Sequence, residues 1–169
     1  LVEDIARAAG TVAHVLELDL SRAAVVLDAV AGQHAPRTRM GDLADNIAQR
    51  ALELNGEPQL KPYIDIPRMA NWTMRMVKDC LDAFVNSDPV LARKVCADDD
   101  FVDEVNEQLF RELLSFMLER TRTITRAIRL TFVAKSLERI ADHAPNTAEL
   151  VVYMVEGKNI RHVAPSASV

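Results

Sequence analysis

Cysteine, glycine and aromatic residues are scarce in this sequence of 169 residues, which has two Cys, five Gly and 5% aromatic side chains. Two cysteines are too few for a disulfide framework or a cysteine-based zinc ribbon, and they fit a reducing compartment. Long apolar runs are also missing, since the longest, residues 150–155, is far shorter than the roughly 18 residues that a membrane span needs. We therefore expect neither a disulfide scaffold nor a transmembrane helix.

An excess of positive charge is absent as well. Twenty Lys and Arg stand against 25 Asp and Glu, which gives a net charge of −5. Such a chain has no surplus cations with which to displace counterions from DNA, so nucleic acid is excluded as the expected partner. The first residues show neither a basic leader nor a long apolar stretch, so we expect no signal peptide and predict a cytoplasmic location.

What the sequence has in abundance is helix-forming residues. Apolar residues make up 49% of the chain, and long stretches rich in Ala, Leu, Glu, Arg and Val favour helix, whereas no alternating strand pattern is bounded by turn residues. The predicted fold class is all-α. Turn-forming residues divide the chain into six helices, and residues 55–62 form the expected linker between two bundles. Asp65 is predicted to be the N-cap of a helix that ends near residue 86, with Pro67 in its first turn.

The last two predicted helices are long and form a hairpin. They cover residues 88–119 and 122–156, with a short turn between them. Pro145 lies inside the second helix, where it removes one backbone hydrogen bond and leaves the carbonyl of Ala141 without its usual donor. We therefore predict a kink at this point.

The chain also contains an internal repeat. Residues 39–48 match residues 139–148 at a shift of 100, with five of ten positions identical, whereas residues 19–26 match residues 88–95 at a shift of 69. The difference between the two shifts predicts that the first copy is about 31 residues shorter than the second. The missing length falls at the tip of the first copy's hairpin.

Four acidic residues form the most informative pattern. Asp99 and Asp103 are four residues apart on one predicted helix, and Glu138 and Asp142 are four apart on the next, so each pair shares a face. An antiparallel hairpin with its turn at residues 120–121 places Asp99 level with Asp142, and Asp103 level with Glu138. Carboxylates this close need a cation, arginines or raised pKa values. Oxygen ligands suit Mg²⁺, Ca²⁺, Mn²⁺ or iron better than zinc.

A plainer interpretation stays open, in which these acids form a solvated helix face and pair with Lys135 or Arg139. A second pattern, the basic stripe Arg122, Arg126 and Arg129, fits either a solvated face or a contact with a partner or an anion.

Several segments resemble the PhoU family of phosphate-uptake regulators: residues 39–46, 60–68, 99–104, 122–129 and 137–146. The resemblance is close over about residues 40–162. It implies two tandem three-helix bundles, a short first repeat over 1–57 and a second over 63–162, usually in a homodimer.

The resemblance also implies metal clusters held by E/D-x-x-x-D motifs. Those motifs fall on Asp99, Asp103, Glu138 and Asp142 in the second repeat, and only on Asp42 in the first. The bound ions would be divalent or trivalent, with iron, Mn, Mg and Zn as the candidates.

The function that the resemblance implies is regulatory and not enzymatic. Such a protein is a cytoplasmic adaptor between the ATPase subunit of the phosphate ABC transporter and a sensor histidine kinase, and it represses the phosphate-starvation response. Two alternatives remain open. The same carboxylates in an all-α phosphohydrolase would activate water through a bound metal, and a metal-free helical scaffold would keep the fold without the site.

Overall fold

The structure, a computed structural model, describes residues 36–160 of the chain, with side chains from residue 40 onward. No strand occurs among these residues, which confirms the all-α class. The described part consists of five α-helices and one turn of 3₁₀ helix at Thr121–Thr123: α1 (Pro36–Asn55), α2 (Asp65–Asn86), α3 (Pro89–Glu119), α4 (Ile124–Ala141) and α5 (His143–Glu156).

The start of α2 differs from the prediction. The N-cap is Ile64, which has no capping side chain, and Asp65 is the first helical residue. The prediction of Asp65 as N-cap was wrong because the Asp65 carboxylate accepts a hydrogen bond of 2.9 Å from the Lys61 ammonium and does not cap the helix. Pro67 lies in the first turn as predicted, where a missing N–H leaves no hydrogen bond unmade.

The turn between α2 and α3 follows the local sequence. Ser87 ends α2 in the left-handed conformation, with φ of 52°. The Asp88 carboxylate then caps α3 by accepting hydrogen bonds from the backbone N–H groups of Val90 and Leu91, at 2.9 and 3.0 Å. Because Asp88 is the cap, α3 begins one residue later than predicted, at Pro89.

The kink predicted from Pro145 is present as an interruption of the helix. The segment expected to be one helix over 122–156 is two helices, α4 and α5, separated at Asp142. Pro145 cannot donate to the carbonyl of Ala141, which ends α4. The side-chain amide of Asn146 donates to the Asp142 carbonyl at 2.6 Å, which satisfies one acceptor at the break.

The core lies among α2, α3, α4 and α5, which all pack on one another, and α1 packs along α4. Each helix buries one line of apolar side chains. Large fully buried side chains from these four helices are Met69, Met76, Leu109, Leu113, Leu130, Ile140 and Val151.

The predicted linker is held against the hairpin by the basic stripe. The Arg126 guanidinium donates to the Pro58 carbonyl at 2.7 Å, and Arg129 pairs with Glu53 at 3.0 Å and with Glu57. A solvated face is therefore the wrong interpretation for Arg126 and Arg129, because both bind the end of α1 and the linker. Arg122 is exposed at the turn.

We expect the Arg129→Gln substitution to release this linker. Glutamine keeps hydrogen-bonding capacity but lacks the charge that pairs with Glu53 and Glu57, and hydrogen bonds to charged groups are the stronger ones. Backbone amides of residues 55–60 should exchange with deuterium about tenfold faster, whereas those of residues 105–113 in α3 should not change. Unchanged exchange in the linker would show that the arginine does not restrain it.

The predicted first repeat over 1–57 lies largely outside the described residues. Its short hairpin tip falls there as well, so the domain boundaries remain predictions. Within residues 36–160, no helix is both long enough and apolar enough to cross a membrane.

Candidate metal centre

The hairpin of α3 and α4 brings the predicted acidic residues to one place. Asp99 and Asp103 lie on α3, Glu138 lies in the last turn of α4, and Asp142 occupies the break before α5. The register depends on the turn, where the Thr123 hydroxyl lies 2.7 Å from the Phe116 carbonyl oxygen and 2.6 Å from that of Arg120.

The electrostatics show that these four residues are neighbours. The pKa of Asp99 is raised to about 6 by burial and then by the charges of Asp103 and Asp142, with smaller effects from Asp100 and Glu138. Burial and the charge of Glu138 raise the pKa of Asp103. Burial, Glu138 and Asp103 together raise the pKa of Asp142. We call Asp99, Asp103, Glu138 and Asp142 the carboxylate cluster.

Two oxygens of the carboxylate cluster are buried, Asp99 Oδ1 and Glu138 Oε2, and Asp99 Oδ1 has no hydrogen-bond partner. The Lys135 ammonium forms an ion pair with Glu138 Oε2, as the plainer interpretation proposed, but no corresponding cation is paired with Asp99 among the described residues. A buried carboxylate oxygen without a donor is costly, and an ion would remove that cost.

The cluster fits a metal ion in its chemistry. All four groups supply hard oxygen donors, and Asp99 Oδ1 is buried without a hydrogen-bond partner. Within residues 36–160, no three carboxylate, imidazole or thiol side chains stand at separations that hold an ion. The carboxylates must therefore draw together to bind one, and the small buried residues Ala134, Ala141 and Ala144 beside them allow close approach of the helices.

The structure does not place every predicted residue in this cluster. Asp42 lies on the exposed side of α1, and it is not among the charges that act on Asp99, Asp103 or Asp142. Cys96 is a half-buried residue whose Sγ lies 3.9 Å from the Pro145 carbonyl oxygen. Burial raises its pKa to about 11, so the thiol is protonated at neutral pH in the metal-free protein.

Sequence reasoning missed an aromatic stack beside the cluster. The rings of Trp72 and Phe101 lie 4.0 Å apart between centroids, with Arg75 over Trp72 at 3.8 Å and Arg68 over Phe101 at 4.8 Å. The indole N–H of Trp72 donates to the Asp98 carbonyl at 3.3 Å. The sequence feature that could have indicated an aromatic contact here is Phe101, which directly follows the three aspartates at 98–100. Trp72, the only tryptophan in the sequence, is thus hydrogen-bonded to the backbone of the residue that precedes Asp99.

These features define a helical-bundle protein with a carboxylate cluster between antiparallel helices. The PhoU domain family matches residues 66–151, a range that contains the whole cluster. The chain therefore belongs to the PhoU family.

Relatives with known names support this assignment. A phosphate-specific transport system accessory protein PhoU homolog from Aquifex aeolicus is 44% identical over 124 residues, which is 73% of this chain and 56% of the relative. The homolog from Pseudomonas aeruginosa is 39% identical over 126 residues, covering 74% of this chain and 52% of the relative. The chain thus spans about half the length of the curated relatives it matches.

Solved structures show the same fold. The crystal structure of PhoU from Pseudomonas aeruginosa aligns with a TM-score of 0.74 and 28% identity, over 93% of this chain and 87% of that one. The phosphate transport system regulatory protein PhoU from Streptococcus pneumoniae aligns with a TM-score of 0.67 over 94% of this chain and 81% of that one. At 21% identity, the second likeness concerns the fold alone.

Proposed function

We propose that this chain is a non-enzymatic negative regulator of phosphate uptake and of phosphate-starvation signalling. The observation that carries the proposal is the match of the PhoU domain to residues 66–151, which includes every residue of the carboxylate cluster. Relatives are named as accessory proteins of phosphate-specific transport systems. By analogy, the chain works as an adaptor between the ATPase subunit of the phosphate ABC transporter and a sensor histidine kinase, in the cytoplasm and as a homodimer.

The carboxylate cluster is the proposed metal site. Asp99, Asp103, Glu138 and Asp142 would hold one or more ions such as iron, manganese, magnesium or zinc. A bound ion supplies positive charge that offsets the mutual repulsion of the carboxylates. The protein's own contribution is to hold oxygens from α3, from α4 and from the break before α5 around one point. Binding would therefore tie these three segments together.

A pull-down experiment tests the adaptor role. The purified chain, loaded with Mn²⁺ and fixed to beads, should retain the purified transporter ATPase subunit and the sensor kinase of the same phosphate system. The Glu138→Gln variant removes one charge from the cluster, so it should retain less of the partner that recognises the metal-loaded form. The matched control is Asp45→Asn, an exposed acid on α1. Failure to retain either partner would contradict the adaptor role.

The phosphohydrolase alternative has its own assay. Under the same conditions, the Mn²⁺-loaded chain is incubated with a panel of nucleotides, and phosphate release is followed. We expect no turnover, because regulation requires only binding. Release at catalytic rates that the Glu138→Gln variant loses would favour the enzyme.

A further inference from the structure

The exposed surface of α2 is basic. Four exposed side chains follow one line along the helix, at spacings of three and four residues: Arg68, Asn71, Arg75 and Lys78. The acidic residues of α2 are only partly exposed, and each forms an ion pair with a lysine: Asp65, Asp79 and Asp82. Because the whole chain carries a net charge of −5, this line of side chains is a local reversal of sign.

Two arginines of this line are held by aromatic rings. The guanidinium carbon of Arg75 lies 3.8 Å from the centroid of the Trp72 ring, and that of Arg68 lies 4.8 Å from the centroid of the Phe101 ring. The two rings lie 4.0 Å apart between centroids. We call Arg68, Phe101, Trp72 and Arg75 the arginine–aromatic ladder. Since stacking restricts both arginines in the free protein, less side-chain freedom is lost when a partner binds them.

Neither arginine of the ladder has an acidic partner within residues 36–160. The nearby Asp98 carboxylate pairs with Lys94 at 3.6 Å. A guanidinium that stacks on a ring keeps the N–H donors at its edge available, and this edge matches a carboxylate in a two-point hydrogen bond. The ladder therefore presents two positioned cations that can each bind a carboxylate.

The spacing of the two arginines limits what can bind both at once. Arg68 and Arg75 are seven residues apart, so their backbone positions are separated by about 10 Å along α2. One phosphate ion or one carboxylate is too small to reach both guanidiniums. Two carboxylates seven residues apart on a second helix have the same spacing, and an apolar side chain midway between them is level with Trp72. Tryptophan and arginine are also the residue types that dominate binding energy at protein interfaces.

We propose that the arginine–aromatic ladder is a docking surface for an acidic helix of another protein. Two carboxylates of that helix, two turns apart, bind Arg68 and Arg75, and an apolar side chain between them packs on Trp72. The inference goes beyond the proposed function, because this contact requires neither a metal ion nor a phosphate transporter. Its failure would leave the regulatory role untouched.

A synthetic helix, detected through Trp72, tests the surface. The probe is an alanine- and glutamine-based peptide of about 20 residues, stapled to keep it helical, with two glutamates seven residues apart and one leucine midway. It has no aromatic residue, so the tryptophan fluorescence comes only from Trp72, the single tryptophan of the chain. With the full 169-residue chain, in a chelator and at low salt, we expect a saturable change and a Kd of about 10–100 µM, typical of a weak contact.

Arg68→Gln and Arg75→Gln should each weaken binding of the probe about tenfold, because each removes one charge-assisted hydrogen-bonded pair. The matched control is Arg122→Gln. Arg122 is also exposed, but it lies at the turn between α3 and α4, so this variant should bind like the parent. A second probe with its glutamates four residues apart reaches only one arginine at a time, and it should bind about tenfold more weakly than the first.

A charge exchange tests the sign of the surface. The double variant Arg68→Glu and Arg75→Glu should not bind the glutamate probe. It should bind a probe with lysines at the same two positions, with an affinity within about tenfold of the original pair. Binding of the lysine probe also shows that the double variant is folded.

Three results would overturn the proposal. The parent chain could show no saturable response to the glutamate probe up to 1 mM. It could bind the probes of both spacings equally well, or bind the first probe with an affinity that Arg68→Gln and Arg75→Gln leave within twofold. It could also respond only to vesicles that contain phosphatidylserine, in a way that Arg75→Gln abolishes, in which case the ladder contacts a membrane and not a helix.

Discussion

Replacing Asp99 by asparagine is expected to stabilise the metal-free protein at pH 7.5. Folding places the Asp99 carboxylate in a partly buried site beside other acids, which raises its pKa from 3.8 to about 6. If Asp99 were fully buried, this pKa shift would mean that folding destabilises its charged form by about 3 kcal/mol. Since solvent reaches the cluster and screens it, we expect a gain of about 1–2 kcal/mol in the free energy of unfolding.

The pH dependence of this gain has a defined sign. The folded state binds the Asp99 proton more tightly than the unfolded state, so the penalty is complete above pH 6 and disappears below the unfolded pKa of 3.8. Asp99→Asn should therefore stabilise the protein at pH 7.5 and have little effect near pH 4. Urea unfolding in a chelator at both pH values measures the difference. Equal stability of variant and parent at pH 7.5 would contradict the burial and repulsion assigned to Asp99.

Bound metal should make the parent chain more stable than the Asp99→Asn variant. A ligand that binds only the folded state at a hundred times its Kd stabilises it by about 2.7 kcal/mol, and the parent should gain this from Mn²⁺ whereas Asp99→Asn should not. Trp72, the single tryptophan, bonds to the carbonyl beside Asp99, so its fluorescence should change on titration of the parent alone. Asp45→Asn should behave like the parent. A variant that keeps full metal affinity would remove Asp99 from the site.

The second large effect concerns the core of the hairpin. Leu113 on α3 is completely buried, at 0% exposure, whereas Leu52 on α1 is 71% exposed. Leu113→Ala removes buried apolar contact and leaves a cavity, so we expect a loss of about 3–4 kcal/mol in the free energy of unfolding. Leu52→Ala should change it by less than about 0.5 kcal/mol. Thermal and urea unfolding of the two variants gives the comparison, and similar losses would contradict the burial of Leu113 in the core.

The sequence by itself determined the elements and the candidate site. Helix propensity, Asp88 and the proline at 145 are local signals, so the helix ends near residues 86 and 119 and the kink near Pro145 follow from neighbouring residues. A short turn then fixes the level of each residue in an antiparallel hairpin. Four carboxylates at four-residue spacing on facing helices were therefore predictable as neighbours.

Only the tertiary structure decided which apolar residues form the core. Along α3, the pairs 109 and 110, 113 and 114, and 117 and 118 are all apolar, so the pattern fits two helix faces equally well. Tertiary packing buries Leu109 and Leu113 and leaves Phe110 and Leu114 in solvent. Likewise, Arg129 forms an ion pair with Glu53 and Lys61 with Glu112, in each case with a residue far along the chain. Such choices depend on contacts between distant segments, which local periodicity does not encode.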